Sequence, residues 1–139
     1  MKSYIAVILF HFFCIFCFAQ QEVRKIEGAE LYEEPTYYEI IFKTAQEDFI
    51  SFYLEKAPPA DEDQLSVLKT YIFKLFEQPE QKDFLLQFDD FSLYLVYEDK
   101  KVCIEIWETH DSDLRKRSCA YSYAEYLQLF GISPVKRTF

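Results

Sequence analysis

The chain has 139 residues and a formal net charge of −9, with 24 acidic side chains against 15 basic ones. This balance argues against nucleic-acid binding, because neutralising phosphates requires a basic surface. The chain holds only two glycines, Gly28 and Gly131, and they lie far apart. A glycine-rich phosphate loop, a dinucleotide-binding fingerprint or a nucleophile elbow therefore cannot be built.

The first twenty residues have the pattern of a secretory signal peptide. Lys2 gives a positive start, residues 4–18 form an almost unbroken apolar run, and Cys17 and Ala19 place small side chains at the −3 and −1 positions of a cleavage site. We therefore expect cleavage between Ala19 and Gln20, with residues 1–19 as the leader and residues 20–139 as one α+β domain. The protein is then exported, either to a periplasm or to the outside of the cell.

The same apolar run bears on membrane attachment. It is shorter than the roughly 20 residues that a membrane-spanning helix needs, so we expect no stable membrane insertion after cleavage. A retained anchor and a lipoprotein are the alternatives. The residues before Cys14 and Cys17 lack the small side chains that a lipid-attachment signal requires.

The first half of the mature chain predicts strands. A strand is expected at about residues 23–26, followed by a loop that ends at Pro35. Residues 37–43 and 49–54 alternate between apolar and polar and are predicted to pair as a hairpin about Gln46. In this register the apolar side chains share one face, with Phe42 opposite Ile50, Ile40 opposite Phe52, and Tyr38 opposite Leu54.

A helix is predicted next, over about residues 62–78. Residues 57–60 break the sheet, and the acidic residues 61–63 place negative charge and a cap at the start of the helix. Apolar residues then recur at intervals of three and four until Pro79 ends the pattern. Residues 84–88 are compatible with a short helix or with a strand.

The second half predicts a further hairpin and a short helix. Residues 91–97 and 102–107 alternate and turn at Asp99-Lys100, with Leu93, Leu95 and Tyr97 opposite Ile106, Ile104 and Val102. Ser122 and Glu125 have the spacing of a capping box that opens a helix over about residues 123–130, which Gly131 closes. The predicted fold is α+β, with one antiparallel sheet of about five to six strands packed by the two helices.

Cys103 and Cys119 are the cysteines that remain after cleavage, in an oxidising compartment. If residues 102–107 turn about Asp111 onto residues 115–121, the two cysteines lie opposite each other. The same register pairs Glu105 with Arg117 as an ion pair, and Trp107 with Arg115 as a cation–π contact. We therefore predict a structural disulfide between Cys103 and Cys119. Two free thiols are the alternative, if the register is shifted by one residue.

The remaining chemistry-bearing residues do not favour an enzyme. His110 lies in an acidic segment, residues 108–113, that could hold a divalent ion, but the spacing matches no calcium loop and favours a solvated turn. A serine nucleophile would have to use His110, and no serine sits on a glycine-flanked turn. We predict no catalytic residue, no metal site and no cofactor.

The composition favours a binding role. Acidic residues predominate, and the tyrosines, ten of which lie after the predicted cleavage site, need water or a partner for their hydroxyl groups. Our hypothesis is a small exported protein, of an inhibitor or immunity type, that binds an unknown protein partner through an acidic, tyrosine-rich surface. The alternative is a carrier that encloses a small apolar ligand between the longer helix and the sheet, with a hydrolase as the third hypothesis.

Overall fold

The strands form two antiparallel sheets, where the sequence predicts one. The computed structural model describes residues 22–57, 63–108 and 115–132, and within them the α+β class is confirmed. The first sheet runs in the order β1 (Glu22–Ile26), β2 (Ala29–Glu33), β3 (Tyr37–Lys43) and β4 (Phe49–Glu55). The second runs in the order β5 (Asp83–Gln87), β6 (Phe91–Glu98), β7 (Lys101–Glu108) and β8 (Arg115–Arg117), and β9 (Tyr121–Ser122) also pairs with β7.

Strand β2 lies in a segment for which the sequence predicts a loop. It pairs with β1 on one side and with β3 on the other, so the first sheet gains a central strand. Gly28 makes the turn before it with φ of 86°, a left-handed conformation that favours glycine. A Cβ atom there would also lie 2.9 Å from the hydroxyl oxygen of Tyr121. The prediction missed β2 because its alternation is short and is interrupted by the charged pair Glu33-Glu34.

The two predicted hairpins are confirmed in their register. In β3 and β4, Phe42 lies opposite Ile50, Ile40 opposite Phe52, and Tyr38 opposite Leu54. In β6 and β7, the cross-strand pairs are Leu93 with Ile106, Leu95 with Ile104, and Tyr97 with Val102. In both cases the apolar residues of the two strands share one face, as a half-buried hairpin requires. Residues 83–87 form strand β5, which resolves the open assignment.

The longer helix, α1 (Gln64–Glu77), lies within the predicted range. Asp63 occupies the N-cap position with an extended backbone, but its side chain makes no hydrogen bond to the helix. Its carboxylate accepts instead from the backbone N–H of Ala57 at 2.7 Å, which ties the chain after β4 to the start of α1. A 3-10 turn (Pro79–Gln81) follows the helix. Asp61 and Glu62 lie outside the described residues.

The shorter helix, α2 (Tyr123–Leu129), has the predicted capping box. Ser122 Oγ accepts from the backbone N–H of Glu125 at 3.2 Å, and Glu125 Oε1 accepts from the N–H of Ser122 at 3.0 Å. Gly131 follows the helix with φ of 68°. The predicted start and end of this helix are therefore confirmed by their local chemistry.

Both sheets and both helices contribute to one hydrophobic core. Helix α1 packs on β4 of the first sheet and on β5, β6 and β7 of the second, whereas α2 packs on β1, β2 and β9. The buried side chains of α1 are Leu65, Leu68, Ile72 and Leu75. A single β-bridge between Thr44 and Ser118 joins the end of β3 to the strand region after β8. The core faces of the two sheets therefore turn towards each other and towards α1, which leaves their other faces to solvent.

Within the part of the chain that the structure describes, no helix combines the length and the apolar character needed to cross a membrane. The predicted leader, with its cleavage site between Ala19 and Gln20, lies outside the described residues.

Candidate functional site: the outer face of the first sheet

Cys103 and Cys119 are free cysteines in the structure, so the predicted disulfide is not formed. The neighbouring predictions from the same register are confirmed. Glu105 lies opposite Arg117, with Oε2 and Nη2 3.0 Å apart, and Trp107 lies opposite Arg115, whose guanidinium carbon is 4.4 Å from the indole ring centroid.

The register changes immediately beyond these pairs. Glu105 is opposite Arg117, but Val102 is opposite Tyr121, so three residues on one side face two on the other. This extra residue is a β-bulge, which bends the strand and redirects side chains. The backbone N–H of Cys119 donates to the carbonyl of Lys43 in the first sheet at 2.8 Å. The bulge therefore couples the chain at Cys119 to the first sheet.

The acidic segment around His110 is the sequence's candidate metal site. Residues 109–114 lie outside the described residues, so the geometry of that candidate is not described here. Among the residues that are described, no group of three or more histidine, cysteine, aspartate or glutamate side chains is arranged to hold a metal ion.

The first sheet presents a face to solvent that is unusually rich in aromatic and aliphatic side chains. We call it the outer face, and it consists of the alternate residues that point away from the core: Lys25, Glu30, Tyr32, Tyr37, Glu39, Ile41, Lys43, Phe49, Ser51, Tyr53 and Glu55. Phe49 is 60% exposed and Tyr53 is 56% exposed, the two largest exposures among the described large hydrophobic residues. The solvated face of an antiparallel sheet is ordinarily polar, so these exposed rings need an explanation.

A shallow hollow of about 630 Å³ lies on the outer face. Ile41 of β3 and Phe49 of β4 line it together with Ile26 at the end of β1. Glu30, Glu39 and Ser51 contribute polar groups to the same lining, and Lys43 lies beside Phe49. The hollow is therefore mainly apolar, with carboxylates on its polar side.

Three tyrosines flank Glu39, whose carboxylate also lines the hollow, and we call them the tyrosine frame. Glu39, on β3, lies opposite Tyr32 of β2 and opposite Tyr53 of β4, while Tyr37 precedes it by two residues on the same face. The rings of Tyr37 and Tyr53 meet edge to face, with centroids 5.3 Å apart and planes at 78°. Such edge-to-face geometry is favourable for aromatic pairs, so it holds both rings in place.

Hydrogen bonds hold Glu39 and Glu30, two of the carboxylates of this face, in position. Ser51 Oγ donates to Glu39 Oε1 at 3.1 Å, and the Tyr32 hydroxyl donates to Glu30 Oε2. Lys25 Nζ lies 3.5 Å from Glu30 Oε1. The hydrogen bond from Tyr32, assisted by the charge of Lys25, keeps the pKa of Glu30 below its ordinary value, so that this carboxylate stays ionised.

The outward face of the second sheet differs because its aromatic side chains Trp107 and Tyr94 donate hydrogen bonds to carboxylates. Glu105 Oε1 accepts from Trp107 Nε1 at 2.6 Å, and Glu105 Oε2 accepts from Arg117 Nε at 3.1 Å. The Tyr94 hydroxyl donates to Asp83 at 2.7 Å, and its ring lies 5.5 Å from that of Trp107. This network stabilises a solvated sheet face, and it leaves less exposed aromatic surface than the outer face does.

The sequence predicts an acidic, tyrosine-rich surface but does not locate it. Locating the outer face requires β2, because Glu30 and Tyr32 belong to that strand. Within β2, Ala29 and Leu31 alternate with Glu30 and Tyr32. This two-residue period is the sequence signal that predicts a strand with one apolar face and one polar face.

No family model matches the chain, and no curated protein or solved structure matches it either.

Proposed function

We propose that this chain is an exported, non-enzymatic binding protein, of an inhibitor or immunity type, and that its outer face binds another protein. The partner surface is basic and presents an apolar side chain to the hollow beside Phe49. Export rests on the leader-like pattern of residues 1–19.

The exposed aromatic pair Phe49 and Tyr53 is the observation that carries this proposal. Both lie on β4, on the same face, and each leaves more than half of its surface in contact with solvent. Exposed aromatic groups beside an apolar hollow are typical of interfaces, since tyrosine and phenylalanine are enriched there and contribute much of the binding energy.

The charge of the molecule supports a basic partner. The chain has a net charge of −9, and Glu39 and Glu55 lie beside the tyrosines of the outer face. The two lysines of the face lie elsewhere on it, with Lys25 paired to Glu30 and Lys43 next to Phe49. A partner with basic side chains would be attracted to the tyrosine end of the face, and its association would slow as salt is raised.

The packing of α1 disfavours the carrier hypothesis. That hypothesis requires a cavity between the longer helix and the sheets. Leu68, Ile72 and Leu75 occupy this space with no exposed surface, in contact with the shared core.

Affinity capture with matched variants tests the proposal. The purified protein is immobilised as wild type, as Phe49→Ala/Tyr53→Ala, and as Leu85→Ala, which removes an exposed apolar side chain from the second sheet. Extracts of the native cell envelope are passed over each form, and far-ultraviolet circular dichroism checks that each is folded.

We expect a discrete protein to be retained by the wild type and by Leu85→Ala at low salt, and to be released as salt is raised. The double variant should retain little of it. If the wild type retains no discrete protein, or if all three forms retain the same protein equally, the proposal is wrong.

A further inference from the structure

Glu39 occupies the centre of the outer face, on a strand that has neighbours on both sides. Tyr32 and Tyr53 lie directly across from it on those neighbours, and Tyr37 lies two residues away on the same face. Directly opposed residues in an antiparallel sheet have Cβ atoms roughly 5 Å apart, so Tyr32 and Tyr53 stand beside the carboxylate. Tyr37 joins them through its ring contact with Tyr53.

The Glu39 carboxylate can accept further hydrogen bonds. Oε1 accepts from Ser51, and no side chain among the described residues donates to Oε2. The rings of the tyrosine frame are positioned by contacts that do not involve Glu39. The Tyr32 hydroxyl donates a hydrogen bond to Glu30, and the Tyr37 ring packs against Tyr53. The frame is therefore ordered without using the second oxygen of Glu39.

The electrostatic setting of the frame is acidic. Desolvation and then the charges of Glu34 and Glu39 raise the pKa of Tyr37, and Glu39 also contributes to the raised pKa of Tyr32, whose main cause is its hydrogen bond to Glu30. The Lys25 ammonium is paired with Glu30. Lys43 is four residues from Glu39 along β3 and lies opposite Phe49.

We infer that Glu39 and the tyrosine frame bind an arginine side chain of the protein partner, with the guanidinium on Glu39 and against the rings of Tyr37 and Tyr53. This inference rests on the proposed function and names the group that the outer face recognises. A guanidinium combines planar hydrogen-bond donors for a carboxylate with a flat face that stacks on aromatic rings. Lysine supplies the charge but not the planar fork, so it binds more weakly.

Peptide titration of the whole protein tests the inference. The probe is an eight-residue peptide of alternating arginine and glycine, and the matched probes replace arginine by lysine or by glutamate. Binding is followed by the amide NMR signals of the protein at low salt. The variants are Glu39→Gln, which keeps the shape of the side chain, and Glu98→Gln, which removes the same charge from the second sheet.

We expect the arginine peptide to shift the signals of the outer face and to bind more tightly than the lysine peptide, with no binding of the glutamate peptide. Glu39→Gln should weaken arginine binding by roughly five-fold or more, and Glu98→Gln should leave it nearly unchanged.

In the peptide titration, two results would overturn the inference. One is no saturable shift on the outer face with the arginine peptide. The other is equal weakening by Glu39→Gln and Glu98→Gln, which would mean that the peptide responds only to net charge. Failure here is separable from failure of the proposed function. If the captured partner is lost by Phe49→Ala/Tyr53→Ala but retained fully by Glu39→Gln, the arginine site is wrong and the binding face stands.

Discussion

Tyr126 places a polar hydroxyl in the centre of the core. The side chain is completely buried, and its hydroxyl donates to the carbonyl of Val102 at 2.8 Å. Burying a hydroxyl is tolerated when it is hydrogen-bonded, and this bond ties α2 to β7. Tyr121 makes a similar bond to the carbonyl of Gly28, at 2.8 Å, which ties the second sheet to the turn between β1 and β2.

The ionisation of Tyr126 predicts a loss of stability in alkali. Burial holds the pKa of Tyr126 well above its ordinary value in the folded protein, whereas the unfolded chain ionises near pH 10. Below pH 10 both states are neutral, so there is no effect. Above it the unfolded state alone loses a proton, and the free energy of unfolding falls by about 1.4 kcal/mol per pH unit for this group.

Urea unfolding between pH 8 and pH 11 measures this slope. Tyr126→Phe should destabilise the protein by about 1 kcal/mol at pH 8, because it leaves the Val102 carbonyl without its donor. Above pH 10, the free energy of unfolding of this variant should fall less steeply with pH than that of the wild type. Equal slopes for Tyr126→Phe and the wild type would contradict the assignment.

The two cysteines should differ in reactivity without being linked. Cys103 is 7% exposed, and burial raises the pKa of its thiol, so little of the reactive thiolate forms at neutral pH. Cys119 is only half-buried. We expect iodoacetamide to label Cys119 in the folded protein and to label Cys103 only slowly, as read by mass spectrometry. Labelling that appears only after a reductant is added would instead mean that the disulfide forms in solution.

At the scale of single elements, the β6–β7 hairpin follows from local sequence. Its strands alternate cleanly, and its two-residue turn is Asp99-Lys100. Both turn residues have positive φ, 52° and 64°, which matches the twist of a tight hairpin but strains side chains other than glycine, asparagine and aspartate. The hairpin is therefore specified by its pattern and forms in spite of an unfavourable residue at Lys100.

Lys100→Gly should relieve this strain. We expect an increase in the free energy of unfolding of about 0.5–1 kcal/mol, measured by urea denaturation, because glycine adopts positive φ without a steric cost. Lys101→Gly is the matched control. It lies in the strand, where glycine lowers stability. A loss of stability in Lys100→Gly would show that the lysine side chain contributes more than the strain costs.

Elements that depend on neighbours were less predictable. β5 and β2 are both five-residue strands, and neither carries a pattern long enough to distinguish it from a helix or a loop. The bulge after β8 is also absent from the sequence pattern. Its cause is tertiary, since Ser118 bonds to Ile104 of β7 while the next residue, Cys119, bonds to Lys43 of the first sheet.

At the scale of the whole molecule, the joining of the two sheets determines which faces remain open. The Thr44–Ser118 bridge fixes one end of the first sheet beside the second, and Ser118 Oγ accepts from the backbone N–H of Ile104 at 2.9 Å. Helix α1 packs on both sheets, so the apolar faces of the two sheets are buried in one core. The outer face of the first sheet is what this arrangement leaves in solvent.

The sequence by itself determined the α+β class, two hairpin registers, the longer helix and the capping box of α2, because each depends on periodicity and on contacts between residues near in the chain. It also predicted an acidic surface rich in tyrosine. Only the tertiary structure decided that the strands divide into two sheets, that the backbone of Cys119 bonds to the first sheet, and that Glu39 lies among three tyrosines. Those features arise from contacts between distant segments, which compete with local preferences and leave no fixed spacing in the sequence.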